Sequence, residues 1–339
     1  MKFCNLIFAC LYMLNIWSYG HMAQADDGKL VMTIQKYQNN LDGFRASVGM
    51  RGKEKQGKAW WETVTYNIYT LNPDGTGLTQ LTEDDMSMRP KWSPDGRLIA
   101  YVSGAGSSKK LCVMNEDGSE KRELLSKQIK INDFWWSPDS SALLVSVETK
   151  VREKPEGYVV YADGEKKKRF GHPKWTKGWN HWDAHQAKII NPHPRLLSAL
   201  PDVSWPKWSP DNRYIAFITE KVLAIATVEP VSATGKWFLQ QNEPPCNKIE
   251  EWSDDGKILF YANGYICSAE VEKGKLTNMT NLSMFRGWDA TWNGDGKRIA
   301  FVSRQPGRSN SDVYVMDADD SNQVCITYTN YNHSHLDWR

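Results

Sequence analysis

The 339-residue chain lacks most of what marks the common enzyme classes. It has no G-x-S-x-G turn, which excludes an attached hydrolase built on a nucleophile elbow, and no H-E-x-x-H, which excludes the zincin peptidases. No glycine-rich loop is spaced to cradle a phosphate, and no C-x-x-C pair is spaced for zinc or for redox chemistry. Apolar residues almost nowhere recur at helical spacing, which argues against an α or α/β fold. Net charge is only +2, so the electrostatic footprint of a nucleic-acid binder is missing. Long apolar runs are missing too, apart from Asn5 to Trp17, which Asn15 interrupts and which is too short to span a bilayer.

What the chain does have is tryptophan, 16 in all, five of them heading the same tight turn. They are Trp92-Ser93-Pro94-Asp95-Gly96, Trp136-Ser137-Pro138-Asp139-Ser140, Trp208-Ser209-Pro210-Asp211-Asn212, Trp252-Ser253-Asp254-Asp255-Gly256 and Trp292-Asn293-Gly294-Asp295-Gly296. Trp338 follows near the C-terminus, and the spacings are 44, 72, 44, 40 and 46 residues. A repeat of this period signals an array of small units, none able to bury its hydrophobic face alone.

Each unit reads as four strands. In the turn, proline presets φ, aspartate caps its own backbone and glycine accepts positive φ. A β-rich apolar run follows, such as Leu98 to Val102 or Ile299 to Val302, then a third strand such as Leu111 to Met114 or Val313 to Met316, a second turn and a more polar fourth strand. Lys29 to Gln35 read as a second strand with no tryptophan turn before it, and His333 to Trp338 as a first strand with nothing after it. Pairing the two makes one composite blade and removes both sheet edges. The expectation is an all-β, six-bladed β-propeller of four-stranded blades over residues 26–339, closed by the C-terminal inner strand.

The succession W-S-P-D-G, I-A-F-x-S and Y-V-M-D-A-D resembles the propeller repeats of the TolB family over roughly residues 62–339. The resemblance implies the same propeller fold and a periplasmic or secreted location. The α/β domain that precedes the propeller in that family is not expected here. Residues 1–25 read as a secretory signal peptide, with Ala23-Gln24-Ala25 as the cleavage site. Cys112, Cys246, Cys267 and Cys325 then remain, either bridged or as buried free thiols. Monomeric behaviour is expected.

Two long departures from the repeat, 38–60 and 165–200, carry five and eight Lys/Arg against two Asp/Glu each. Strand alternation places both on the face where the first strands begin, a location where loops usually bind. The second is aromatic, with Trp175, Trp179 and Trp182, and rich in histidine, with His172, His181, His185 and His193. Indole faces suit sugar rings, and they equally suit a small private core under the loop. The residues three before each tryptophan converge at the channel mouth: Arg89, Asp133, Trp205, Ile249, Asp289 and His335. Charges there take a ligand, or they pair to hold the ring closed.

Asn330-x-x-His333-x-His335 is similar to the Gln-x-x-His-x-His metal site of oligogalacturonate lyases, also propellers. That resemblance implies a divalent ion, manganese or calcium, on His333 and His335 with Asn330 assisting. Whether the chain is catalytic stays open at this stage. The leading expectation is a binding protein for an anionic partner, an acidic glycan or an acidic protein surface, using Arg89, Asp133, Trp175, Trp179, Trp182, Trp205 and Asp289. The alternatives are a metal-assisted polysaccharide lyase acting on uronate-containing chains and a non-catalytic envelope scaffold.

Overall fold

A computed structural model of the chain describes residues 28–37, 64–105, 109–125, 129–137, 139–149, 152–164, 167–170, 204–211, 213–219, 221–227, 237–239, 246–273, 275–283 and 286–339. Among the described residues there is no helix, and 24 strands, numbered in chain order, form six four-stranded antiparallel sheets in a propeller arrangement.

The first sheet is made from both ends of the chain. β1 (Leu30–Tyr37), β2 (Val64–Leu71) and β3 (Thr79–Gln80) are joined by the last strand, β24 (Asn332–Trp338), which lies outside β1 in the order β24-β1-β2-β3. Its register sets Leu30 opposite Trp338 and Gln35 opposite Asn332. This is the composite blade expected from the repeat. The other five run in sequence. They are β4 (Ser87–Trp92), β5 (Leu98–Ser103), β6 (Lys110–Asn115) and β7 (Arg122–Leu125); β8 (Ile129–Trp136), β9 (Ala142–Thr149), β10 (Arg152–Tyr161) and β11 (Lys167–Phe170); β12 (Ser204–Trp208), β13 (Tyr214–Thr219), β14 (Val222–Thr227) and β15 (Trp237–Leu239); β16 (Cys246–Trp252), β17 (Lys257–Ala262), β18 (Tyr265–Glu272) and β19 (Lys275–Asn281); and β20 (Gly287–Trp292), β21 (Arg298–Ser303), β22 (Asp312–Asp317) and β23 (Val324–Cys325).

The turn after each inner strand works through its serine. Ser93, Ser137 and Ser209 donate from Oγ to the aspartate two residues on, each at 2.6 Å, and Ser253 makes the same bond to Asp255. The same oxygen accepts the backbone N–H that opens the next strand, as from Leu98 and Ala142 at 2.9 Å. The serines are therefore buried yet satisfied. Gly96, Gly256 and Gly296 close their turns at φ of 74°, 88° and 70°, while Ser140 occupies the same position at 60° and bears the side-chain strain.

The cores sit between sheets. Trp338, Leu30 and Met32 pack against Ala300, Val313 and Val315 of the last sheet, and Val31 and Ile68 pack against Trp92, Ile99 and Met114 of the second. Similar clusters join the second sheet to the third, the fourth to the fifth and the fifth to the sixth. Along the inner strands, β12 touches β16, β16 touches β20, β20 touches β24 and β24 touches β4. Cys112, Cys246 and Cys267 are buried and Cys325 half-buried, all as free thiols. Burial pushes Cys246 up to about 12 and the other three to about 11, which keeps them unreactive.

One boundary needs correction. The stretch 165–200 is not all insertion, because Lys167–Phe170 form β11, the outer strand of the third sheet. The charge run Lys167-Lys168-Arg169 reads as a loop by composition, yet lysine-rich outer strands are how sheets resist edge-to-edge pairing. The remainder of that stretch from 171 on, the stretch 38–60 and the leader 1–25 lie outside the described residues.

Because Trp338 is 5% exposed and β24 is an inner strand, Trp338→Ala should cost about 3–5 kcal/mol, read as a large drop in Tm. Deleting Tyr331 to Arg339 should abolish the cooperative melt followed by circular dichroism. A truncated chain that melts like the full one would show that closure does not depend on this strand.

Candidate functional site

All six inner strands break register with their neighbour, between Met88 and Lys91, Ile131 and Asp133, Ser204 and Lys207, Ile249 and Glu251, Trp288 and Thr291, and opposite Val31 and Thr33. In three of them the third residue before the tryptophan sits in the left-handed region: Arg89 at 59°, Asp289 at 50° and His335 at 53°. A non-glycine residue there costs of order 1–3 kcal/mol, and bulges of this kind re-aim side chains next to sites.

The re-aimed groups meet their neighbours' inner strands. At the junction of the second and third sheets, Arg89 Nη2 lies 2.7 Å and Lys91 Nζ 3.2 Å from the same oxygen, Oδ1 of Asp133. Lys91 also donates to the carbonyl of Phe134 at 2.8 Å and lies 5.1 Å from that ring's centroid. Burial pushes the Lys91 ammonium below its ordinary value, and Arg89 and Lys207 add to the push against Asp133. Burial pushes the Asp133 carboxyl up, but Lys91 and Arg89 together outweigh it and hold it low.

At the junction of the fifth and sixth sheets the proportions reverse. Lys248 Nζ lies 2.6 Å from Glu250 Oε2 and 3.7 Å from Asp289 Oδ1. The Glu250 side chain is 7% exposed, and burial raises its carboxyl above the usual range despite Lys248. Between the two junctions stands His335, whose backbone N–H donates to Asp289 Oδ2 at 2.8 Å. Its imidazole is exposed to solvent but hemmed in. Desolvation lowers its pKa, Asp289 opposes, and Arg89, Lys248 and Lys91 push it further down.

Deeper in, the residue immediately before the tryptophan forms a second tier. Asp337 Oδ2 accepts the backbone N–H of Trp92 at 2.6 Å, and Glu251 Oε2 accepts that of Trp292 at 3.1 Å and the Thr291 hydroxyl at 3.2 Å. Burial raises Asp337 to about 6 and Glu251 to about 7, the latter helped by Asp337 itself.

Comparisons with known proteins agree with this architecture. No family model matches the chain. The crystal structure of TolB from Acinetobacter baumannii superposes with a TM-score of 0.56 over 92% of this chain and 66% of that one, at 14% identity. The fold is that of a TolB-like β-propeller. In sequence, the Tol-Pal system protein TolB of Alcanivorax borkumensis is 34% identical over 94 residues, 25% of this chain and 22% of that protein. Dipeptidyl-peptidase 5 of Porphyromonas gingivalis is 27% identical over 297 residues, 81% of this chain. The chain spans 39% of that relative's length.

Within this TolB-like propeller, Arg89, Asp133, Asp289 and His335 do come together. Ile249, at the equivalent position, is 1% exposed and belongs to the core. The Trp205 side chain and Trp175, Trp179 and Trp182 lie outside the described residues.

The expected metal pair is corrected. Two residues apart on a regular strand, His333 and His335 would face one side, but the bulge and the left-handed His335 separate their surroundings. His333 is 1% exposed, with Nδ1 2.6 Å from the Ser311 carbonyl, while His335 is exposed and Asn330 lies on the surface. Among the described residues no three His, Cys, Asp or Glu side chains are grouped to hold an ion. The donor set does not fit a divalent metal.

Sequence reasoning missed Lys91, Lys248, Glu250, Glu251 and Asp337. Four of these stand one or four residues before a tryptophan, Glu250 two before, so the repeat itself carried the signal.

Because Glu251 and Asp337 have folded-state values above their ordinary 4.5 and 3.8, the folded chain holds more protons than the unfolded one across that window. Stability from this pair is present at low pH and is lost as pH rises from about 4 through about 7, by at most about 3 kcal/mol for Glu251. Glu251→Gln keeps an acceptor for Trp292 and should flatten the fall in Tm between pH 5 and 8. An unchanged slope would mean that Glu251 does not titrate there.

Proposed function

We propose that this chain is a non-catalytic binding propeller, exported from the cytoplasm, that takes an anionic group of its partner at the channel mouth through Arg89 and Lys91. The observation that carries this reading is the set of three charged or titratable residues, Arg89, Asp289 and His335, held at repeat-equivalent bulges in a costly backbone conformation. Ring closure alone does not need that strain, since Ile249 fills the same position with a core side chain. Two cations on one carboxylate oxygen, partly desolvated, favour an incoming anion over water. The basic stretch 38–60 and the tryptophan-rich stretch 171–200 would extend the contact on the same face.

The partner's anion belongs to an acidic glycan or to an acidic protein surface. Trigalacturonate and hexaglutamate are the probes that separate these, with maltotriose as the neutral control. One of the two acidic probes should raise the Tm and bind measurably by calorimetry. Arg89→Gln should weaken it at least tenfold while leaving the far-ultraviolet spectrum intact. Equal affinity in Arg89→Gln would sink the assignment.

A second reading rests on the match to dipeptidyl-peptidase 5 across 81% of the chain. In it the propeller presents peptides rather than envelope components. It predicts that hexaglutamate binds and trigalacturonate does not. The lyase reading is set aside, because it needs the metal that His333 and His335 are not placed to hold.

A further inference from the structure

The two charged junctions differ in sign. Between the second and third sheets, among the described residues, two cations, Arg89 and Lys91, share one carboxylate, Asp133. Between the fifth and sixth, one cation, Lys248, stands between two carboxylates, Glu250 and Asp289. These clusters are not remote from each other. Along the inner strands only the composite sheet separates them, and β24 of that sheet touches both β4 and β20. His335, on β24, is bonded through its backbone to Asp289 on one side and senses Arg89 and Lys91 on the other.

A partly desolvated cluster with cations in excess and another with carboxylates in excess are each costly alone. They repel pure polyanions at one pole and pure polycations at the other, which is specificity by charge mismatch. A single ligand with both signs satisfies the two together. The imidazole between them is pushed toward its neutral form, so it adds a hydrogen-bonding group there without favouring either sign.

We infer that the channel mouth binds a small zwitterion of the amino-acid or short-peptide class, its carboxylate toward Arg89 and Lys91 and its ammonium toward Glu250 and Asp289. This rests on the proposed anion site and adds the opposite pole to it. Burial of the Glu250 side chain at 7% exposure supports the second pole, because a desolvated carboxylate gains most from an incoming ammonium. The ligand's length sets how well it reaches both poles, so a series of increasing length has an optimum.

The test is calorimetric titration of the full chain with glycine, diglycine and triglycine, each also as the N-acetyl form (carboxylate only) and the C-terminal amide (ammonium only). One free zwitterion should bind, and blocking either end should weaken it at least tenfold. Glu250→Gln should weaken the free form at least fivefold and leave the acetylated form unchanged. Arg89→Gln should weaken both, with thermal melts confirming that each variant is folded. If the acetylated form binds as tightly as the free one, the second pole is unused and the inference fails while the anion site stands. If no member binds but trigalacturonate or hexaglutamate does, the zwitterion is overturned and the anion site again stands. If none of these probes binds a folded chain, both readings fall.

Discussion

The inner strand of each sheet has an edge that faces the channel and has no further strand to pair with. Its N–H groups must be satisfied, and here side chains from the next sheet do it. Asp337 takes the N–H of Trp92, Glu251 that of Trp292, Asp289 that of His335, and Thr33 Oγ1 that of Arg89. Every one of these bonds crosses from one sheet to another. The polar groups that line the channel are therefore the same groups that hold sheets in order, and a binding site there is built out of structural fastenings.

Indoles and carboxylates divide this work between them. Where the residue before the tryptophan is a lysine, the next sheet's tryptophan donates its indole N–H to that lysine's carbonyl, Trp136 to Lys91 and Trp252 to Lys207, both at 3.1 Å. Where it is acidic, as at Asp337 and Glu251, the carboxylate takes the next tryptophan's backbone N–H instead. The indole nitrogens of Trp92 and Trp292 are then buried with no partner among the described residues. Leaving a buried donor unmade costs about 1–3 kcal/mol. The acidic choice is thus the more expensive one twice over, because burial also resists ionisation of the carboxylates.

The fold was legible because its signals are local and repeated. A turn of Trp, Ser, Asp and Gly announces both the inner strand behind it and the buried strand ahead, and two incomplete ends announce their own pairing. The site was half legible. Arg89, Asp133, Asp289 and His335 follow from counting back from the tryptophan. The bulges do not, since a register break leaves no mark in composition, and it is the bulge that parts His333 from His335. Lys167-Lys168-Arg169 misled for a related reason: an outer strand and a solvated loop want the same residues, and only the pairing with β10 tells them apart.

The composite sheet has a temporal side as well. β1, β2 and β3 are complete by Gln80, but their inner neighbour does not begin until Asn332. At roughly 5–20 residues per second, synthesis leaves β1 with an open edge for on the order of ten seconds to a minute. During that interval the chain carries a pairing-competent strand, Leu30–Tyr37, with no native mate yet made. The last strand to emerge is the one that ends this exposure, so the chain's vulnerability to mispairing is governed by elapsed time rather than by final stability.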